Sequence, residues 1–160
     1  MVVLGLFFLS AGESKAQRIA VSTNTLELLT LSPNMSLDIS LSKHHSLFMS
    51  VSSSPWKVSS SAYNQHFTIS PGYRYWLNMP YYKGYVGGKF LYSSYDLAVG
   101  DFCRKGNLVA MTVDYGYSVI LSKRLNMVPA IGLGAGYNVS DKRSIVPVVT
   151  LGLNVQIVLK

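Results

Sequence analysis

Cysteine is nearly absent, with Cys103 the only one in 160 residues. No internal disulfide can form, and paired thiols cannot hold a metal. His44, His45 and His66 stand at no metal-ligand spacing from a Cys or Asp cluster, so neither a metal nor another cofactor is indicated. Charge is sparse as well, at 13% of residues against the ~25% usual in soluble domains. Nor does any run reach the ~18 consecutive apolar residues of a transmembrane helix. Yet 49% of the chain is hydrophobic. One domain of this composition either folds around a large soluble core or crosses a membrane as strands. The 11 tyrosines and 13 glycines suit strands and close barrel packing better than helices.

What is present is alternation. In "SIVPVVTLGLNVQIVLK" the odd positions from Ile145 to Leu159 are all apolar, whereas the even ones include Thr150, Gly152, Asn154 and Gln156. Successive side chains on a strand point to opposite faces, so this is one long strand with an apolar and a mixed face. The same period of two runs through Val109–Leu121, Leu125–Tyr137, Phe67–Leu77, Met35–Leu41 and Leu47–Val51, each with its apolar set on odd numbers. Weaker runs cover 19–30 and 83–95. The count is about eight strands of roughly 8–14 residues, against the ~9–11 that a tilted strand needs to cross a bilayer. Pro71, Pro129 and Pro147 fall inside three of them, which predicts local irregularity because proline removes a ladder donor.

The connections alternate in length. Short turns are predicted at "SKHH", "NMPYY" and "SKRLN", and longer ones at "KVSSSAY", "SSYDLAVGDFCRKGN" and "NVSDKRS". Outer-membrane barrels place short turns on the periplasmic side and long loops outside. The first connection, "LSPN", is short although it falls on the long-loop side. With both termini periplasmic, Cys103 becomes an exposed thiol in the longest outside loop. Tyr73, Tyr75, Tyr81 and Tyr82 fall near one rim and Trp56, Tyr92 and Tyr137 near the other, as two interfacial aromatic belts. The fold expected is therefore all-β: an eight-stranded antiparallel up-and-down transmembrane β-barrel over residues 17–160. Residues 1–16, with "MVVLGLFFLS" ahead of the small residues Ser14 and Ala16, have the form of a secretory signal peptide, although no Lys or Arg precedes the apolar stretch. The competing reading of this stretch is a buried first strand.

The segments "SPNMSLDISLSKHHSLFMSVSSSPW", "YRYWL", "GYVGGKF" and "SKRLN" resemble the domain-of-unknown-function 3575 family, small outer-membrane barrels of Gram-negative bacteria. The resemblance covers nearly all of the mature chain. It implies no catalytic residues, and an association of some members with fimbrial gene clusters implies a role in surface assembly.

The formal net charge is +7, but the basic residues bracket the strands in both sets of turns and form no single stripe, which excludes a nucleic-acid surface. They serve either to attract lipid headgroups and lipopolysaccharide phosphates or simply as solvated turn residues. Four charges, Asp38, Arg74, Lys89 and Asp114, face inward in the predicted register. Lys89 falls level with Asp114 on the adjoining strand and Asp38 within about two strands of Arg74, and because isolated charges there are costly to desolvate, the four either pair or form one barrel-interior network, or else stand alone in a wet lumen. Phe48, Trp76 and Tyr85 are available to plug an interior that about eight strands already make narrow.

His66, Thr68 and Ser70 share one inward face, the nearest approach to a nucleophile and base, with no acid evidently beside them. "GLGAG" is mid-strand with no helix after it, so its glycines read as close packing and not as a nucleotide loop. The reading is a non-enzymatic integral protein of the cell outer membrane, porin-like in shape, serving envelope structure or surface interaction. Its partners would be outer-membrane lipids and lipopolysaccharide, the barrel-insertion machinery, and envelope or fimbrial components. The alternatives are a soluble lipocalin-like carrier, with its apolar face turned inward, and an outer-membrane lipid-modifying enzyme.

Overall fold

A computed structural model describes residues 18–55, 62–99, 102–140 and 145–159 of the chain. Eight antiparallel strands, each bonded to its neighbours in sequence, close into one barrel. They are β1 (Ile19–Asn24), β2 (Asn34–Ser40), β3 (His45–Ser54), β4 (Ala62–Trp76), β5 (Lys83–Val99), β6 (Phe102–Ile120), β7 (Leu125–Asn138) and β8 (Ile145–Leu159). Closure is made by β1 against β8, with Ile19 opposite Leu159 and Asn24 opposite Asn154. The first and last strands therefore begin and end at the same mouth. The short turns 41–44, 77–82 and 121–124 lie at this terminal mouth also.

The odd-numbered apolar set points out. On successive strands Leu37, Met49, Phe67, Val113, Leu133 and Leu151 are all exposed, as is Phe90 on β5. Between them, inward residues such as Ser46, Ser70, Thr112, Asn126 and Gln156 are buried. The barrel is thus apolar outside and polar inside. That is the inverse of a lipocalin-like carrier, whose interior is apolar, and the carrier alternative falls.

The prolines act as their chemistry requires. Pro71 pairs with Met49 on one side, but the β4–β5 ladder skips from Ile69–Tyr92 to Gly72–Lys89 without changing register. Pro129 interrupts the β6–β7 ladder in the same way, between Gly116–Ala130 and Val119–Met127. Pro147 lies beyond the last β1 partner of β8 at Asn154, where the position facing β1 has no ladder bond to lose.

Three expectations are corrected. The run 19–30 is not one strand: β1 stops at Asn24, and a short helix, α1 (Thr25–Leu29), follows. Asn24 caps it, its side-chain oxygen accepting from Leu26 N at 3.2 Å, and its amide donates to Glu27 at 3.0 Å. The connection expected at "LSPN" therefore includes this helix. Residues 93–99 and 102–107, expected within a loop, are strand, because β5 and β6 stay paired from Ser93–Leu108 to Val99–Phe102. The backbone of Cys103 accordingly belongs to a strand, opposite Ala98 near the hairpin tip. Finally, Tyr81 is no belt residue: it is 3% exposed and turned into the barrel, while Tyr73, Tyr75 and Tyr82 remain outside. The signal-peptide segment 1–16 and Trp56 lie outside the described residues.

The glycines of "GLGAG" and Gly87 of "GYVGGKF" fit tight inter-strand contacts. A Cβ on Gly134 would run into the Met111 carbonyl on β6, a backbone atom that cannot move aside. Gly88 has only Thr112 O at 3.7 Å, an ordinary contact. Gly134→Ala is expected to destabilise the refolded barrel to urea by about 1–3 kcal/mol, with Gly88→Ala within about 0.5 kcal/mol of the parent. Equal effects would contradict the β6–β7 register.

Candidate functional site

The interior is built in layers from the terminal mouth upward. The turn 77–82 folds in across that mouth, with Tyr81 and Lys83 at positive φ (66° and 61°) to make the bend. The Tyr81 hydroxyl donates to Arg18 O at 2.9 Å and lies 3.2 Å from Asp38 O. On the opposite wall its carbonyl accepts from Ser118 Oγ at 2.9 Å and from Asn126 Nδ2 at 2.8 Å. One residue thus ties β2 to β6 and β7 across the lumen. Burial, then the neighbouring Asp38 carboxylate, raise the pKa of the Tyr81 phenol, so it remains a protonated donor. Trp76 packs beside it, with ring centroids 5.5 Å from Tyr81 and 4.9 Å from Tyr85. Trp76 Nε1 donates to Ser46 Oγ at 3.0 Å, so this fully buried ring leaves no polar atom unmet. With Ala20 and Val128 these aromatics form the apolar core and close the terminal end.

The charges lie above this stopper. Arg74 on β4 reaches past β3 to Asp38 on β2, forming a buried ion pair and hydrogen bond. Its guanidinium lies between two rings, 4.0 Å from the centroid of Phe48 and 4.8 Å from that of Tyr85. Both rings need glycine opposite them: a Cβ on Gly72 would meet Phe48, and one on Gly116 would meet Tyr85 at 2.5 Å. The second pair joins neighbouring strands, with Lys89 Nζ 3.1 Å from Asp114 Oδ1. Lys89 also donates to Thr150 Oγ1 at 3.1 Å, and Thr112 and Thr150 donate to the same Asp114 oxygen. Gly132 leaves the space that this carboxylate occupies. The four inward charges therefore stand as two pairs, and the floor between them is aromatic.

Above the pairs a polar cavity of about 310 Å³ is open toward the hairpin side. Arg74, Tyr85 and Phe48 form its floor, and Lys89, Asp114 and a ring of hydroxyl and amide side chains form its wall. His66, Thr68 and Ser70 all line it, but in different bonds. His66 Nε2 is 3.2 Å from Ser52 Oγ, and Thr68 Oγ1 is 2.8 Å from Ser93 Oγ. Among the described residues no group of three or more His, Cys, Asp or Glu is placed to hold a metal. Sequence reasoning missed Glu27, which α1 brings to the cavity rim, and Tyr81. The signal for Glu27 was the N-x-x-E spacing of Asn24 and Glu27, a capping pattern.

Comparisons with known proteins agree with this architecture. The family model described as "Protein of unknown function (DUF3575)" matches residues 2–150. No curated protein matches the chain. Among solved structures, the crystal structure of Neisserial surface protein A (NspA) is similar in fold, with a TM-score of 0.54 and 12% identity, covering 88% of this chain and 94% of that one.

The two ion pairs differ in burial, which separates them on mutation. Asp38 is 1% exposed in its side chain, whereas Lys89 is 18% exposed toward the cavity. Asp38→Asn leaves a buried guanidinium without its counter-charge and is expected to cost about 3–5 kcal/mol in urea unfolding. Lys89→Met is expected to cost less, and Asp38→Asn/Arg74→Met to recover much of the loss. Near-zero, additive effects would mean that these charges do not interact.

Proposed function

The chain belongs to the family described as Protein of unknown function (DUF3575), and from that premise we propose that it is a non-enzymatic integral protein of the bacterial outer membrane. The carrying observation is the sidedness of the closed barrel. Large apolar side chains stand exposed around it, from Leu37 at 43% to Leu151 at 63%. A continuous apolar girdle of this extent needs an apolar medium. Closure answers the same need, because a bilayer core offers no water to bond unpaired strand edges. Exposed Tyr73, Tyr75, Tyr115 and Tyr117 near the terminal mouth, with Tyr92 and Tyr137 further along, supply the two interfacial belts.

The terminal mouth then faces the periplasm, and the cavity and the tall β5–β6 hairpin face outward. Tyr81 and Trp76 stop the lumen, which supports a role in surface interaction or envelope structure over conduction. The hairpin carries its own charge pair, Lys105 Nζ to Asp96 Oδ2 at 3.6 Å, exposed as an outside element would be. Lipids and lipopolysaccharide are the immediate partners on this reading, and envelope or fimbrial components those of the outer rim.

Extraction should require detergent, and the protein should migrate faster on gels before heating than after; release by salt or alkali alone would contradict membrane insertion. Leu151→Arg, on the lipid face near mid-strand, is expected to cost about 2–4 kcal/mol when refolded in vesicles. Unchanged stability would place Leu151 away from lipid. A membrane-impermeant maleimide should label Cys103 on intact cells, and labelling only after lysis would reverse the orientation.

A further inference from the structure

The two ends of the barrel differ in charge. At the terminal mouth stand Arg18 just before β1, Lys43 in the turn 41–44, Lys83 at the start of β5, and Lys123 and Arg124 in the turn 121–124, all of them exposed. Among the described residues no exposed acid stands with them, and Asp38, the carboxylate nearest this end, is buried and held by Arg74. None of the five cations has an ion-pair partner among the described residues. At the hairpin end, by contrast, Lys105 is matched by Asp96. Five like charges on one rim repel one another, a cost that an anionic partner reverses.

Their height on the barrel selects the anion. The apolar girdle runs up to the turns, where Leu41, Leu77 and Leu121 are still exposed, and Lys43 and Lys123 follow only two residues after Leu41 and Leu121. Tyr73, Tyr75 and Tyr82 are exposed at the same end, and Lys83 Nζ lies 5.3 Å from the centroid of the Tyr82 ring. Cations that follow directly on lipid-facing and belt residues lie at the depth of the lipid phosphates. From this placement we infer that the terminal rim binds anionic phospholipid, of the phosphatidylglycerol type, in preference to zwitterionic phospholipid. The inference rests on the membrane reading above and adds to it the class of lipid and the leaflet, the one on the periplasmic side. A soluble acidic partner would instead occupy the centre of the mouth, a cup of about 320 Å³ bordered by Arg18, Lys123, Met79 and Ile120. Lys43 and Arg124 do not line that cup, so they distinguish the two partners.

The test is native mass spectrometry of the protein released from detergent micelles that hold equal amounts of phosphatidylglycerol and phosphatidylethanolamine. Phosphatidylglycerol should be retained at least about tenfold over phosphatidylethanolamine, as several basic residues in one headgroup layer imply. Lys43→Gln/Arg124→Gln should lower that preference at least about threefold, whereas Arg104→Gln/Lys105→Gln, at the hairpin end, should leave it unchanged. Gel migration before and after heating shows independently that each variant is folded, and a parent protein without the heat shift would fail the membrane reading itself. In a parent that shows the shift, equal retention of the two lipids would overturn this inference alone. So would an equal loss of preference in the two double variants, or a preference lost in Arg18→Gln/Lys123→Gln but kept in Lys43→Gln/Arg124→Gln.

Discussion

A sheet that turns its large side chains outward into an apolar medium has no water along its edges, so every edge must find a partner. That requirement organises the molecule. It explains why β1, only six residues long, is bonded along its whole length to β8, and why Asn24 and Thr25 take over where β1 ends. Thr25 Oγ1 donates to Leu153 O at 2.7 Å and Asn24 accepts from Leu153 N, so side chains continue the ladder for one more step. It also explains why proline is found only where a ladder is interrupted or already finished.

Closure in turn creates the interior problem. Eight strands leave a narrow space, and side chains must fill it or bond within it. The lower half is filled by Trp76, Tyr81 and Tyr85, with glycines opposite the rings that need room. The upper half is not filled but hydrogen-bonded, through two ion pairs and a set of hydroxyls. That pairing offsets the desolvation cost of Arg74 and Lys89.

The barrel was legible in the sequence wherever its two faces differ in polarity. Leu125–Tyr137 and Ile145–Leu159 could be read residue by residue, because odd positions meet one medium and even positions another. The upper β5–β6 hairpin was not legible, since Asp96, Arg104, Lys105 and Gly106 break the alternation that identified the other strands. A strand with polar groups on both faces looks like a loop to any argument from periodicity. The stretch after Asn24 failed for another reason: Leu26 and Leu28 mimic alternation over too few residues to distinguish it from one helical turn. Tyr81 was beyond reach altogether, since its inward course depends on a positive φ and on acceptors and donors from four distant segments. The inward charges were placed from register, which set Lys89 level with Asp114 and Asp38 within about two strands of Arg74; what register left open was whether they form two pairs or one network, and the structure has two pairs.

In a bilayer-inserted barrel of this register, odd-numbered side chains of β8 meet lipid and even-numbered ones meet a polar lumen. Nitroxide labels placed singly at Val148, Val149, Thr150 and Leu151 in vesicles test it directly, by collision with oxygen and with a water-soluble nickel complex. High oxygen and low nickel accessibility are expected at Val149 and Leu151, and the reverse at Val148 and Thr150. Equal nickel accessibility at all four positions would mean that this face is in water and that the barrel is not a membrane protein.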